Sequence, residues 1–298
     1  MTTLKLQTPV DAGRSGVPVS LRDRILVLGS CFADSIADRL AASGFDACVN
    51  PFGTLYNPVS LCNAAARLDS GAVFTEDECV PMGAGAGLVC SFWHHTSFAR
   101  PDAAQFLKDA NDAFARASAF WRTCNKVLVT LGTAFCYEHV SSGEVVANCL
   151  KRDAKEFARR RLSVPEAAAL LENLVRKFPE KQFLFTVSPI RHLADGAHGN
   201  QLGKSILLLA VEQVCSRFPG RCAYFPAYEI VLDELRDYRF YAEDMCHPSA
   251  QTVGYLWSRF VDFAVPVSEL PALSGNEKAF RRSRHRPLHD GATPQKLF

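Results

Sequence analysis

The stretch that most restricts the fold is RILVLGSCFADSIADRL, Arg24 to Leu40, where a short aliphatic run passes through Gly29-Ser30-Cys31 directly into a helical pattern. A strand that hands over to a helix within one small-residue turn opens a βα unit, and such units bury their strands in a parallel sheet covered on both faces. The alternation recurs along the chain. Apolar runs at Ile25 to Leu28, Lys126 to Leu131, Gln182 to Val187 and Cys222 to Phe225 read as strands. Longer amphipathic stretches at Ala33 to Ser43, Asn57 to Leu68, Pro101 to Arg122, Val164 to Phe178, Gln201 to Phe218 and Ser249 to Val265 read as helices. Pro165 sits in a first turn after Ser163, and Ser43-Gly44 closes the first helix. The expectation is one α/β domain over residues 1–270, a three-layer α/β/α sandwich with a mainly parallel sheet.

Two regions interrupt the alternation. AFCYEHVSSGEVVANCL reads as a β-hairpin around Ser142-Gly143, and AVFTEDECVPMGAGAGLVCSFWHHTSF as strands joined by a glycine-rich loop. Both are expected as added hairpins on one rim of the sheet. Ligand crevices in open α/β sheets lie beyond the carboxyl ends of the strands, so the loops after Leu28, Leu131 and Val187 should converge.

Composition narrows the classes. With 298 residues, 48% of them hydrophobic, the chain can bury a large core. A formal charge of +2 offers no obligatory hold for nucleic acid or an acidic membrane surface, and neither is an expected partner. The eleven cysteines are odd in number, lack a CxxC pair and lie in apolar segments, so they read as reduced core residues of a cytoplasmic protein. No signal-peptide-like stretch opens the chain, and nothing reaches the ~18 apolar residues of a membrane span. From residue 271 to 298 the chain turns basic, polar and aperiodic, and reads as a mobile tail.

The loop after the first strand carries the first chemical candidate. A serine at a strand-to-helix turn can expose its hydroxyl while backbone N–H groups at the helix amino end face the same substrate oxygen. Ser30 can equally be an ordinary N-cap. Near the other end, AEDMCHPSAQTVGYLW places Asp244 and His247 three apart before the last helix. A nucleophile needs a base in reach, and the base needs an acceptor that fixes its tautomer; Asp244 and His247 can fill those two roles.

In order along the chain, GSCFAD, NPFGTLYNP, LGTA, VVANC, SPIRH and HPS resemble the GSCFA family of bacterial proteins, which looks like a branch of the SGNH or GDSL-type hydrolases. The resemblance spans Ile25 to Val265. It implies a serine acyl-ester hydrolase, an esterase or deacetylase acting on a small-molecule or O-acylated saccharide ester, with Ser30 as nucleophile, His247 as base and Asp244 as its orienting partner. Cys31 is then a packing neighbour. The implied oxyanion hole takes the Ser30 N–H, the Gly53 N–H and an asparagine side chain. Ala134 stands where that asparagine would be, so Asn148 is the expected substitute, ahead of Asn57. Leu150 stands where the family pattern has a histidine.

His95 resembles a family histidine before a small residue and an aromatic, and joins Thr133, Arg191 and His192 as substrate-binding candidates. His94 and His95 alternate, so one should face inward. The run Lys151 to Arg161 reads as a solvated face. HExxH and cysteine-pair spacings are absent, and GAGAG lacks the strand and helix of a dinucleotide loop, so neither metal nor cofactor is expected. Three alternatives stay open: the same site acting as an acyltransferase onto a sugar hydroxyl, a non-catalytic binding module (Ala134 and Leu150 being its support), and an interaction protein working through the basic tail.

Overall fold

The structure is a computed structural model that describes residues 7–284. Its first half runs β1 (Arg24–Gly29), α1 (Cys31–Ala42), β2 (Asp46–Val49), α2 (Pro58–Ser70), β3 (Val80–Pro81), β4 (Val89–Cys90), α3 (Ala103–Thr123) and β5 (Lys126–Leu131). The second half runs β6 (Phe135–His139), β7 (Val145–Val146), β8 (Phe157–Arg161), α4 (Val164–Lys177), β9 (Gln182–Val187), α5 (Gly196–Arg217), β10 (Cys222–Tyr224), the short α6 (Ala227–Glu229), α7 (Ala250–Ala264) and α8 (Leu270–Arg284).

Five strands form one parallel sheet in the order β2-β1-β5-β9-β10. Period-2 alternation splits each strand between two cores. Leu26, Leu28, Val127, Val129, Phe183 and Phe185 pack into the layer of α2 to α5. Ile25, Val27, Leu128 and Leu184 pack into the layer of α1 and α7. The expected three-layer sandwich is therefore present. Because β2 and β5 flank β1, the connections leave in opposite directions between β1 and β5, which opens a crevice at their carboxyl ends.

The β1–α1 turn is tightly determined. A Cβ on Gly29 would lie 1.9 Å from Thr130 Oγ1 and 2.3 Å from Thr130 O, so only glycine lets β1 end this close to β5. Asn50 closes the turn from the β2 side: its Oδ1 accepts from Gly29 N at 2.8 Å and its Nδ2 donates to Asp34 Oδ1 at 2.6 Å.

The rim hairpins also form, β3 with β4 and β6 with β7. They lean on each other through Ala147 N donating to Phe92 O at 2.7 Å and Gly83 N to Leu150 O at 3.0 Å. Two strands escape the sequence reading. β2 is only DACV and no residue of it is fully buried, so its apolar signal is faint. β8 is FARRR, an antiparallel edge partner of β6 whose arginines lie at the surface.

The tail expected from residue 271 differs from the structure up to Arg284, where α8 docks on the domain. Leu273 is buried, Asn276 Nδ2 donates to Ser43 O at 3.0 Å, and Glu277 accepts from Ser43 Oγ at 2.8 Å and Trp257 Nε1 at 3.1 Å. A polar helix held by side-chain bonds has little apolar period to announce it. The remainder, 285–298, lies outside the described residues. No helix among the described residues is long and apolar enough to cross a membrane.

Asn50 is buried and adopts a left-handed φ of 44° while holding the β1–α1 turn. Asn50→Ala leaves Gly29 N without its partner and should cost about 1–3 kcal/mol. In urea unfolding the midpoint falls with an unchanged slope; a loss below about half a kcal/mol would contradict this role for Asn50.

Candidate active site

The loops after β1, β5 and β9 converge on a cleft of about 480 Å³. Its walls include Cys31, Asn57, Thr133, Asn148, His192 and His247, with Arg191, Arg159 and Cys246 beside them. The base pair expected from the sequence is formed: His247 Nδ1 lies 2.6 Å from Asp244 Oδ2. Asp244 Oδ1 accepts the N–H groups of Cys246 and His247, both at 2.9 Å. Those backbone bonds, followed by the imidazole, hold the Asp244 carboxyl down to about 2. With Nδ1 engaged, Nε2 is the ring nitrogen left for a substrate. The approach is rigid, because Ala242 N donates to His247 O at 2.7 Å and Ser249 caps α7.

Ser30, the expected nucleophile, sits in the turn itself. Ser30 is the N-cap of α1, its Oγ accepts from Phe32 N at 3.4 Å, and the residue is 1% exposed and absent from the cleft wall. Capping folds a short side chain back onto the first-turn amides and away from solvent. The next residue is turned outward. Cys31, expected to pack inward, is half-buried and lines the cleft, its Sγ 3.3 Å from the Tyr56 hydroxyl. Burial, with help from the Cys31 contact, pushes the Tyr56 phenol up to about 12, so it stays a neutral hydroxyl.

Gly53 is also displaced from its expected role. Its N–H donates to Asn50 O at 2.7 Å, and a Cβ there would meet His95 Cβ at 2.5 Å, so the glycine serves a turn and its amide is spent. His95 caps the short turn Thr96–Phe98 by accepting from Ser97 N at 3.3 Å and is not part of the cleft. His94 is the inward member of that pair. It bonds Ser91 Oγ at 2.7 Å, and burial pushes its pKa down to about 3.

Asn148 does reach the cleft. Its Oδ1 accepts from Leu150 N at 2.8 Å, which fixes the amide while its Nδ2 has no partner among the described residues. Asn57, the lesser candidate, spends Oδ1 on Ser60 N at 2.9 Å and Nδ2 on Ser60 Oγ at 3.1 Å. Thr133 Oγ1 donates to Asp195 Oδ2 at 3.1 Å, and both Gly132 N and Thr133 N are taken by Tyr56 O. His192 is mostly buried, and that burial pushes its pKa down to about 4. No group of three or more His, Cys, Asp or Glu side chains among the described residues could hold a metal ion.

Two positioning residues had no motif to mark them. Lys204, fully enclosed on α5, donates from Nζ to Gly132 O at 2.6 Å and Ser188 O at 2.7 Å, tying the loops after β5 and β9 together beneath the cleft. Arg159, within the run expected to be solvated, packs its guanidinium 4.1 Å from the Phe135 ring centre and pairs with Asp195. Both act on partners far away in sequence.

A profile of the GSCFA family matches residues 24–260. No curated protein matches the chain. Among solved structures, one similar chain is a Streptococcus pneumonia protein provisionally described as a platelet activating factor: 12% identity, TM-score 0.39, covering 80% of this chain and 83% of that one. Another is a carbohydrate esterase family 2 enzyme with a carbohydrate binding domain from Corynascus thermopiles (Myceliophthora fergusii): 12% identity, TM-score 0.39, covering 90% and 69%. A third is an acetyl xylan esterase from the rumen bacterium Butyrivibrio proteoclasticus: 10% identity, TM-score 0.38, covering 83% and 64%.

Burial pushes Lys204 down from 10.5 to about 7, opposed by Asp195. Between those values the unfolded chain holds a proton that the folded chain does not, so this residue's contribution to stability rises with pH across the window. Compared with Lys204→Met in urea unfolding, the wild type should therefore gain on the variant between pH 7 and pH 10. A flat or falling difference would contradict the assignment.

Proposed function

The chain belongs to the GSCFA family, and on that footing we propose that it is an acyl-transfer enzyme acting on esters, with Cys31 as nucleophile, His247 as general base and acid, and Asp244 as the orienting carboxylate. The observation that carries this reading is that Cys31 and His247 line one cleft while His247 Nδ1 is held 2.6 Å from Asp244. The thiol stands at the first position of α1, beside the helix amino end.

In the first half-reaction the thiol proton passes to His247 Nε2 as sulfur attacks the ester carbonyl, and the C=O π pair moves onto oxygen. The oxyanion is met by the Cys31 N–H and by Asn148 Nδ2, each donor of this kind being worth about 2.7–4 kcal/mol in the transition state. On collapse the ester C–O bond breaks, and His247 returns its proton to the departing alcohol. The acyl group is then a thioester on Cys31. Water attacks it, gives its proton to Nε2, and the carboxylic acid leaves as sulfur is reprotonated. An alcohol in place of water makes the same site an acyltransferase. Phe135 and Tyr137 in the wall, with the Asn148 amide, favour an O-acylated saccharide as the ester.

This reading makes the adjacent residues separable. With 4-nitrophenyl acetate, Cys31→Ala should lose turnover by on the order of 10³-fold or more, and iodoacetamide should inactivate the wild type. Ser30→Ala should remain alkylation-sensitive and active while losing about 1 kcal/mol of stability as a deleted N-cap. Full activity in Cys31→Ala, with loss in Ser30→Ala, would overturn it.

A further inference from the structure

Arg191 is the feature of the cleft that ester hydrolysis leaves unused. It lines the catalytic cleft, a side groove of about 290 Å³ and a smaller hollow beyond it, so it stands where the three meet. Its guanidinium lies 4.9 Å from the Tyr238 ring centre and 4.5 Å from that of Tyr241, within cation–π range of both rings. The other arginine in the wall, Arg159, is neutralised by Asp195, whereas Arg191 has no carboxylate partner among the described residues. His192 beside it stays uncharged at neutral pH. One positive charge without a carboxylate partner, carried on a planar fork, matches a planar monoanion better than a phosphate dianion.

The backbone says which part of a substrate meets that charge. Arg191 O accepts from Cys246 Sγ at 2.8 Å and Arg191 N donates to Cys246 O at 3.4 Å, so the arginine is clamped to the residue immediately before His247. His247 delivers its proton to the leaving alcohol, and the alcohol portion therefore departs along this side. The groove past Arg191 continues with Asn200, Gln201, Tyr228 and Tyr238, which offer amide and hydroxyl groups and one ring that is 63% exposed.

We infer that the alcohol portion of the substrate is a hydroxylated carboxylic acid whose carboxylate is bound by Arg191. This rests on the acyl-transfer reading for its chemistry, but the binding can be measured without turnover. The paired esters 4-acetoxybenzoate and 4-acetoxybenzamide differ in that one charge. The wild type should favour the benzoate by about 10–100-fold in kcat/KM, the worth of a charge-assisted hydrogen-bonded pair. Arg191→Gln should abolish the preference, and Arg191→Lys should keep part of it. In parallel, calorimetry of 4-hydroxybenzoate binding to Cys31→Ala should show binding that is lost when Arg191→Gln is added. Binding that depends on Arg191 without turnover of either ester would uphold the carboxylate site and overturn the hydrolytic reading. Equal kcat/KM for the two esters, or hydroxybenzoate binding indifferent to Arg191 or absent, would overturn the inference itself.

Discussion

The close approach of β1 to β5 at Gly29 is the constraint on which the rest of the molecule depends. A side chain there would collide with Thr130, so the backbone of the first strand ends against the third strand of the parallel sheet with nothing between them. Ser30 N then donates to Thr130 O at 3.1 Å, Leu55 N donates to Gly29 O at 2.8 Å, and Gly29 N donates to Asn50 Oδ1 on the β2 side. Strand β5 and the connection from β2 to α2 are both pinned to this one turn, at the point where the sheet connections diverge. The turn thereby also sets the rotation of α1, and with it which side chain of the Gly-Ser-Cys sequence enters the crevice.

That rotation is why Cys31 is the proposed nucleophile in place of the serine that the family resemblance implies. Ser30 and Cys31 are neighbours, and a shift of one residue exchanges a capped, buried hydroxyl for a thiol in the cleft wall. The information was partly present, since serine is a favoured N-cap and a capping oxygen is committed to the helix amides. Asp244 and His247 were legible because three-residue spacing before a capped helix is a local geometry. Gly53 and His95 were not, because their roles are set by contact with each other across separate loops.

The fold itself was largely readable. Strands buried on both faces advertise themselves as uninterrupted apolar runs, and four of the five sheet strands do so. β2 fails the test because it is short and half-exposed at the edge, and β8 because an edge strand of arginines carries the pattern of a solvated surface. Arg159 and Lys204 illustrate a second limit. Each acts through a partner distant in sequence, Asp195 for one and the carbonyls of Gly132 and Ser188 for the other, so nothing in their own neighbourhoods marks them.

The proposed reaction turns on the identity of one atom, the sulfur of Cys31, as the acceptor of the acyl group. Acid-quenching the enzyme during turnover of an acetyl ester, followed by peptide mass mapping, locates that group. The account predicts one acetyl group on Cys31, released by hydroxylamine at neutral pH as a thioester is. Acetyl on Ser30, or on no residue of the cleft while turnover proceeds, would contradict it.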